Sequence, residues 1–274
     1  MLTLQGATPP EQPGAIQRAA GFTRPYLYGA AAAVYLFAAG WTRARHRAAI
    51  VELCRHFGYL YNAREPRLLP VIPPAEVAAE RALLDIRELE AADGNVTEGE
   101  LITICRMVQN TAPRSIFEFG TFDGRTTLNM AHNSPAGSRV YTLDLPREAI
   151  DGAPRIHAHE LQFVDKAESG RRYRGTDAEE KITQLFGDSA TFDFAPYGGQ
   201  IDFVFVDASH TYEHVINDSL HGLRMLRDGH GTIVWHDYSR WDGVTAALND
   251  LRRLHPSFSG LQWIRGTTLA TLRL

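Results

Sequence analysis

Five acids stand at the ends of apolar runs in this chain: Glu118, Asp144, Asp188, Asp207 and Asp237. Parallel sheets bind ligands at the carboxyl ends of their strands, where a carboxylate can take sugar hydroxyls, an ammonium or a metal ion. A single such acid is commonly a helix cap or a solvated turn. Five in succession are hard to attribute to caps alone. Glu118 also opens a tight turn, Glu118-Phe119-Gly120-Thr121-Phe122-Asp123-Gly124, with the spacing E-x-G-x-x-x-G. Gly120 and Gly124 let backbone come close to a ligand where a Cβ would clash, and Thr121 between them joins the candidate cofactor contacts. The spacing differs from the dinucleotide pattern G-x-G-x-x-G, which argues against a nicotinamide oxidoreductase.

Each acid has a chemical reading and a plainer one. Asp144 lies 24 residues beyond Gly120 and can accept both hydroxyls of a ribose; otherwise it is a turn residue before Pro146. Asp188 and Ser189 can hold an adenine edge by hydrogen bonds, or cap a helix. Glu118 can receive an ammonium through water, or brace its own loop. Asp207 and Asp237 end neighbouring central strands and can ligate Mg²⁺ through oxygen, which would lower the pKa of a bound hydroxyl. His210, three residues past Asp207, can take that hydroxyl's proton, or stand at a capped helix start. His236 beside Asp237 is either a satisfied core histidine or a third ligand. As imidazole it suits Mn²⁺, Fe²⁺ or Zn²⁺ better than Mg²⁺. The expected catalytic set is His210, Asp207 and His236. The expected metal set is Asp207, His236 and Asp237, and Asp207 is counted with the cofactor contacts as well.

These residues need a scaffold, and the pattern supplies one. Strands are expected at 115–119, 139–144, 183–187, 201–206 and 231–236. Helices are expected at 98–112, 124–133, 212–226 and 243–254. Their alternation implies βαβ units and a parallel sheet. Runs such as Ile201–Val206 are apolar on both faces, as central parallel strands are. Leu261–Ile264 and Thr268–Leu274 flank Arg265-Gly266-Thr267 as a closing hairpin. Residues 147–182 read as a polar insertion. In it His157 and His159 could line an acceptor pocket, and Arg171, Arg172 and Arg174 could bind an acidic group or lie in solvent.

The first third differs in character. Residues 1–24 are rich in Pro, Gly and Gln, 26–60 read as helical, Pro66–Pro74 as an extended linker, and 75–92 as an amphipathic helix. A helical extension 1–92 therefore precedes a domain at 93–274. Residues 1–67 hold eight arginines against three glutamates, a balance of +5 that leaves the rest at −9 within a net charge of −4. That total gives no general nucleic-acid signal. Pro25–Trp41 is uncharged over 17 residues, short of the roughly 20 a membrane span needs. Burial or homo-oligomerisation is favoured for it over membrane contact or a cleaved signal. Cys54 and Cys105 form no spaced framework, which suits a reducing, cytoplasmic compartment, with membrane association as the alternative.

The ordered set Glu118-x-Gly120-x-x-x-Gly124, Asp144, Gly187-Asp188-Ser189 and Asp207 resembles the class I S-adenosylmethionine-dependent methyltransferases. Val206-Asp207-Ala208-Ser209-His210-Thr211-Tyr212 and Val234-Trp235-His236-Asp237-Tyr238 are similar to the subgroup that includes macrocin-type sugar O-methyltransferases. The resemblance covers about 95–274. It implies a Rossmann-like, seven-stranded, mostly parallel sheet whose last strand is antiparallel. It also implies S-adenosylmethionine as cofactor, with Gly120 and Gly124 flanking its methionine part, and O-methylation of a small molecule such as a sugar or secondary metabolite. Relatives with a metal often carry an acid pair where this chain has His236-Asp237. The alternatives are a metal-independent enzyme with a histidine base, or a cofactor-binding partner protein without catalysis.

Overall fold

The computed structural model describes residues 15–43, 46–47, 49–50, 53, 64–78, 83–92, 94–148, 166 and 168–274. His157 and His159 lie outside them. The chain divides into two compact units, Met1–Leu60 and Tyr61–Leu274. In the first, helix α1 runs Ala15–Ala38 with Pro25 inside it. Its Tyr26, Leu27, Val34 and Phe37 side chains are exposed. No helix among the described residues is long and apolar enough to cross a membrane.

The second unit is built on one sheet. Its strands are β1 (Val71–Ile72), β2 (Ser115–Phe119), β3 (Arg139–Asp144), β4 (Ile182–Phe186), β5 (Phe203–Val206), β6 (Thr232–Trp235), β7 (Gln262–Ile264) and β8 (Ala270–Arg273). Their order is β1-β7-β8-β6-β5-β2-β3-β4. All pairings are parallel except those of β8 with β6 and β7. The sheet is Rossmann-like, with eight strands rather than the expected seven. The added strand, β1, lies inside the proline-rich stretch read as a linker. Only two residues pair there, and prolines tolerate an edge strand, where an N–H is not needed.

Helices α3 (Glu98–Thr111), α4 (Arg125–Asn133), α5 (Tyr212–Met225) and α6 (Asp242–Leu254) flank the sheet, and a one-turn helix α2 spans Pro74–Val77. Alternate strand residues feed opposite cores, as the period of two requires. Phe117, Phe119, Val204, Ile233 and Trp235 pack with Val215, Val244 and Leu248 of α5 and α6. Ile116, Val140, Phe203, Phe205 and Val234 pack with Leu101, Ile104 and Leu128 of α3 and α4.

The helix expected over 75–92 is not formed at 83–92. That segment is a strap held by side chains of α4. Asn133 bonds both the N–H and the carbonyl of Asp85, and Asn129 does the same for Arg87. The buried Arg125 guanidinium donates to the carbonyls of Glu88, Leu89 and Val96. Four helical residues advance about 6 Å and two extended residues about 6.6 Å. Asparagines four apart on α4 can therefore pair alternate residues of a strap. Leu84 and Ile86 turn into the core while Leu83 and Leu89 stay exposed.

Candidate active site

The carboxyl ends of β2, β3, β4, β5 and β6 carry the five expected acids, and Gly120 brings the β2 and β5 ends together. It has φ of +90°, and a Cβ built on it would meet the backbone oxygen of Asp207 at 2.0 Å. Gly124 has φ of +85°, and its Cβ would meet Gly170 Cα at 2.7 Å. Both glycines thus serve close approach of protein to protein. The Gly170 turn is pinned to this loop. Its N–H donates to the Phe122 carbonyl, and Arg172 pairs with Asp123 at 2.7 Å. Arg172, expected either to bind an acidic group or to lie in solvent, is therefore a brace of this loop, and the buried Tyr173 lies beside it.

On the β2 side, the hydroxyls of Thr127 and Thr142 donate to Oε2 of Glu118. Its Oε1 is buried without a hydrogen bond. Burial pushes this carboxyl up to about 8, with the two hydroxyls only partly offsetting it. Thr121 is buried and bonds Thr142 and Gln184. Asp144, ending β3, accepts the Ser169 hydroxyl and lies 2.8 Å from Lys166 Nζ. Asp188 Oδ1 accepts the Ala190 N–H, and the Ser189 carbonyl accepts from Asn217 on α5. Beneath that loop Asp218 is buried, and burial raises its carboxyl to about 7.

On the β5–β6 side lies a chain of opposite charges. His210 Nε2 is 2.9 Å from Asp237 Oδ2, and its ring stacks on Trp241 at 4.9 Å between centroids. His236 Nδ1 lies 3.1 Å from Asp207 Oδ1 and 3.4 Å from Asp237 Oδ2. Its Nε2 lies 3.4 Å from Glu100 Oε2. Burial works against a charge on His236, but Asp237, Asp207 and Glu100 outweigh it and hold the ring protonated well above its ordinary range. Burial would raise Asp237, but the His236 charge and the His210 hydrogen bond hold it well below the usual carboxylate range. Asp237 has φ of +65°, a backbone state that aspartate tolerates better than most residues.

Asp207, His236 and Asp237 offer ligand atoms within 4.8 Å of one another; Asp237 Oδ1 is buried with no hydrogen bond among the described residues, and Arg240 Nη1 lies 3.6 Å from it. Two oxygens and one nitrogen fit a divalent ion of the Mn²⁺, Fe²⁺ or Zn²⁺ kind better than Mg²⁺. The orphaned Glu118 oxygen similarly fits a cationic group on a cofactor.

Residues 117–238 match the family model described as a methyltransferase domain. That segment holds the glycine turn, every strand-end acid and both histidines of the site, while Glu100 and Trp241 fall outside it. No curated protein sequence matches the chain. Among solved structures it is similar to the O-methyltransferase TomG from Streptomyces achromogenes, involved in tomaymycin synthesis and in complex with SAM. That likeness has 16% identity and a TM-score of 0.46 over 81% of this chain and 96% of that one. An O-methyltransferase from Bacillus cereus in complex with SAH gives 16%, 0.45, 67% and 84% in the same terms.

Sequence reasoning missed Glu100 and Trp241 in this domain's site. Trp241 carried no signal. Glu100 did, as the third residue after Thr97 in a capping box, but that pattern explains itself by the helix start alone. Its contact with His236 spans 136 residues.

Proposed function

We propose that this protein is a methyltransferase that uses S-adenosylmethionine to methylate a hydroxyl of a small molecule. The observation that carries the proposal is the contact of Gly120 with the Asp207 backbone. It sets the cofactor turn directly beside the His210–Asp237–His236 centre, so a methyl donor on one side meets a proton acceptor on the other. Alignment supplies most of what methyl transfer needs, because the sulfonium is already activated.

His210 Nε2 faces Asp237 at 2.9 Å, so the aspartate orients the ring as the base for the hydroxyl proton. S-adenosylmethionine, when bound, would supply the activated methyl group and leave as a neutral thioether, while His210 would hold the proton given up by the hydroxyl. Asp237 stabilises the imidazolium formed on His210, as a carboxylate does in other histidine-base sites. Glu118 and Asp144 are the groups for the cofactor's ammonium and ribose, with Asp188 and Ser189 at the adenine. Asp207, Asp237 and His236 Nδ1 would hold a divalent cation, which when bound lowers the pKa of a coordinated hydroxyl.

Calorimetry with S-adenosylhomocysteine tests the cofactor. Binding is expected, with at least a tenfold loss in Asp144→Ala. Absence of binding by the unaltered protein overturns the reading. With labelled S-adenosylmethionine and a panel of hydroxylated acceptors, His210→Ala should lose about 10²–10⁴-fold in rate. Binding without transfer to any acceptor would favour a non-catalytic partner instead.

A further inference from the structure

We propose that Glu100 is the positioning residue of the active centre, holding the His236 ring so that Nδ1 faces Asp207 and Asp237. The proposal deepens the metal and methyl-transfer reading above and rests on it for its functional consequence. Its geometric part stands alone.

Glu100 lies in the first turn of α3 and is almost fully buried. A capping-box glutamate needs one oxygen for its cap and is ordinarily solvated. This one uses both oxygens. Oε2 accepts the Thr97 N–H at 2.9 Å and the Thr97 hydroxyl at 2.8 Å, and faces His236 Nε2 at 3.4 Å. Oε1 accepts the Thr268 N–H at 2.6 Å and the Thr268 hydroxyl at 2.8 Å. The helix start, the turn between β7 and β8, and the end of β6 thus converge on one carboxylate.

The consequence for His236 follows from ring geometry. A carboxylate only accepts, so Nε2 must carry the proton that faces it. The opposite nitrogen then points at the two aspartates. With a proton there, Nδ1 makes an ion pair. Without one, it offers a lone pair to a cation. The carboxylate–histidine–cation arrangement is a general way to fix a ligand's tautomer, and loss of such an outer carboxylate typically costs about 10–100-fold in metal affinity. A helix cap alone predicts none of this.

The test compares Glu100→Ala with Thr97→Val, which weakens the same cap but leaves the carboxylate. Two readouts are needed: nitrogen NMR of histidine-labelled protein, and titration with Mn²⁺ followed by calorimetry. In the unaltered protein the His236 Nε2–H should appear as a slowly exchanging, downfield signal. Glu100→Ala should lose that signal and bind Mn²⁺ about 10–100-fold more weakly, with S-adenosylhomocysteine affinity within twofold. Thr97→Val should lower Tm and keep the signal and the Mn²⁺ affinity. If Glu100→Ala does not fold, Glu100→Gln replaces it. A carboxamide accepts on one side only, so either the Nε2–H signal shifts or the Thr268 amide loses protection. A His236 signal unchanged in the Glu100 variant, or changed equally by Thr97→Val, overturns the proposal. If the unaltered protein binds no Mn²⁺, the metal reading fails while the nitrogen signal still decides the role of Glu100.

Discussion

Two buried acid sites lie a strand apart in this domain, and they are built on opposite plans. Glu118, on β2, is bonded by hydroxyls and has no cationic partner among the described residues. Burial therefore wins, and the group holds its proton to about 8. Glu100 and Asp237 are buried almost as deeply, yet both lie well below the usual carboxylate range. For each, burial pushes up, but the neighbouring His236 charge and added hydrogen bonds outweigh it. Depth of burial therefore does not decide whether an acid is charged here; a resident cation does. The β5–β6 centre carries its own cation. The β2 site is suited to receive one from a ligand.

The comparison breaks most visibly at His236. Removing it takes away the cation that faces Glu100, Asp207 and Asp237, and losing one partner of a buried ion pair typically costs about 3–5 kcal/mol. His236→Gln should show that loss in urea denaturation at pH 7. The pH dependence follows from the shifts. In the unaltered protein Glu100 and Asp237 are depressed, so their stabilisation is present above ordinary carboxylate values and is lost as pH falls. His236 is raised, so its share is present below 6.5 and is lost as pH rises through its folded value. The variant should regain part of its deficit on acidification, as the stranded acids take up protons. A deficit under about 1 kcal/mol would mean that solvent already screens the cluster.

Glu118 should behave in the opposite way. A carboxamide mimics a protonated acid, so Glu118→Gln should cost under about 1 kcal/mol at pH 7, within the range of a typical hydrogen bond. The raised carboxyl contributes stability that is full below 4.5 and is lost as pH rises towards 8. The variant should flatten that slope. If the ammonium of S-adenosylhomocysteine ionises Glu118, binding at pH 7 should release close to one proton and tighten as pH approaches 8. Calorimetry in buffers of different ionisation enthalpy reads this directly. Equal proton release by Glu118→Gln would assign the proton to another group.

The contrast also marks what the sequence could carry. Strand ends and their acids were legible because long apolar runs stop at them, as at Val206-Asp207 and Leu143-Asp144. The glycine spacing was legible as well, although Gly120 turned out to admit the Asp207 backbone. Charge state was not legible. It depends on Glu100 reaching His236 across 136 residues, and on Thr127 and Thr142 converging on Glu118 from a helix and a neighbouring strand. The strap at 83–92 failed for a similar reason. Leu83, Leu84, Ile86 and Leu89 imitate helical spacing, while the groups that fix the backbone, Asn129 and Asn133, lie more than 40 residues onward. Local periodicity cannot register partners at that distance.

The finest test concerns the hydroxyls that stand in for a cation at Glu118. The Thr142 hydroxyl donates to Oε2 at 2.6 Å, and its effect is to lower the carboxyl against the push of burial. Thr142→Val removes that donor with little change of shape. The loss in stability should be about 1 kcal/mol, the scale of one hydrogen bond, and the Glu118 midpoint should rise above about 8 in carbon NMR of the labelled carboxyl. The same substitution lies on β3, away from the imidazole of His236, so the His236 nitrogen signals should stay where they are. A Glu118 midpoint that falls instead would mean that water enters when the hydroxyl leaves. In that case the β2 acid is held neutral by dryness that Thr142 itself maintains, and the two sites differ in access to solvent before they differ in charge.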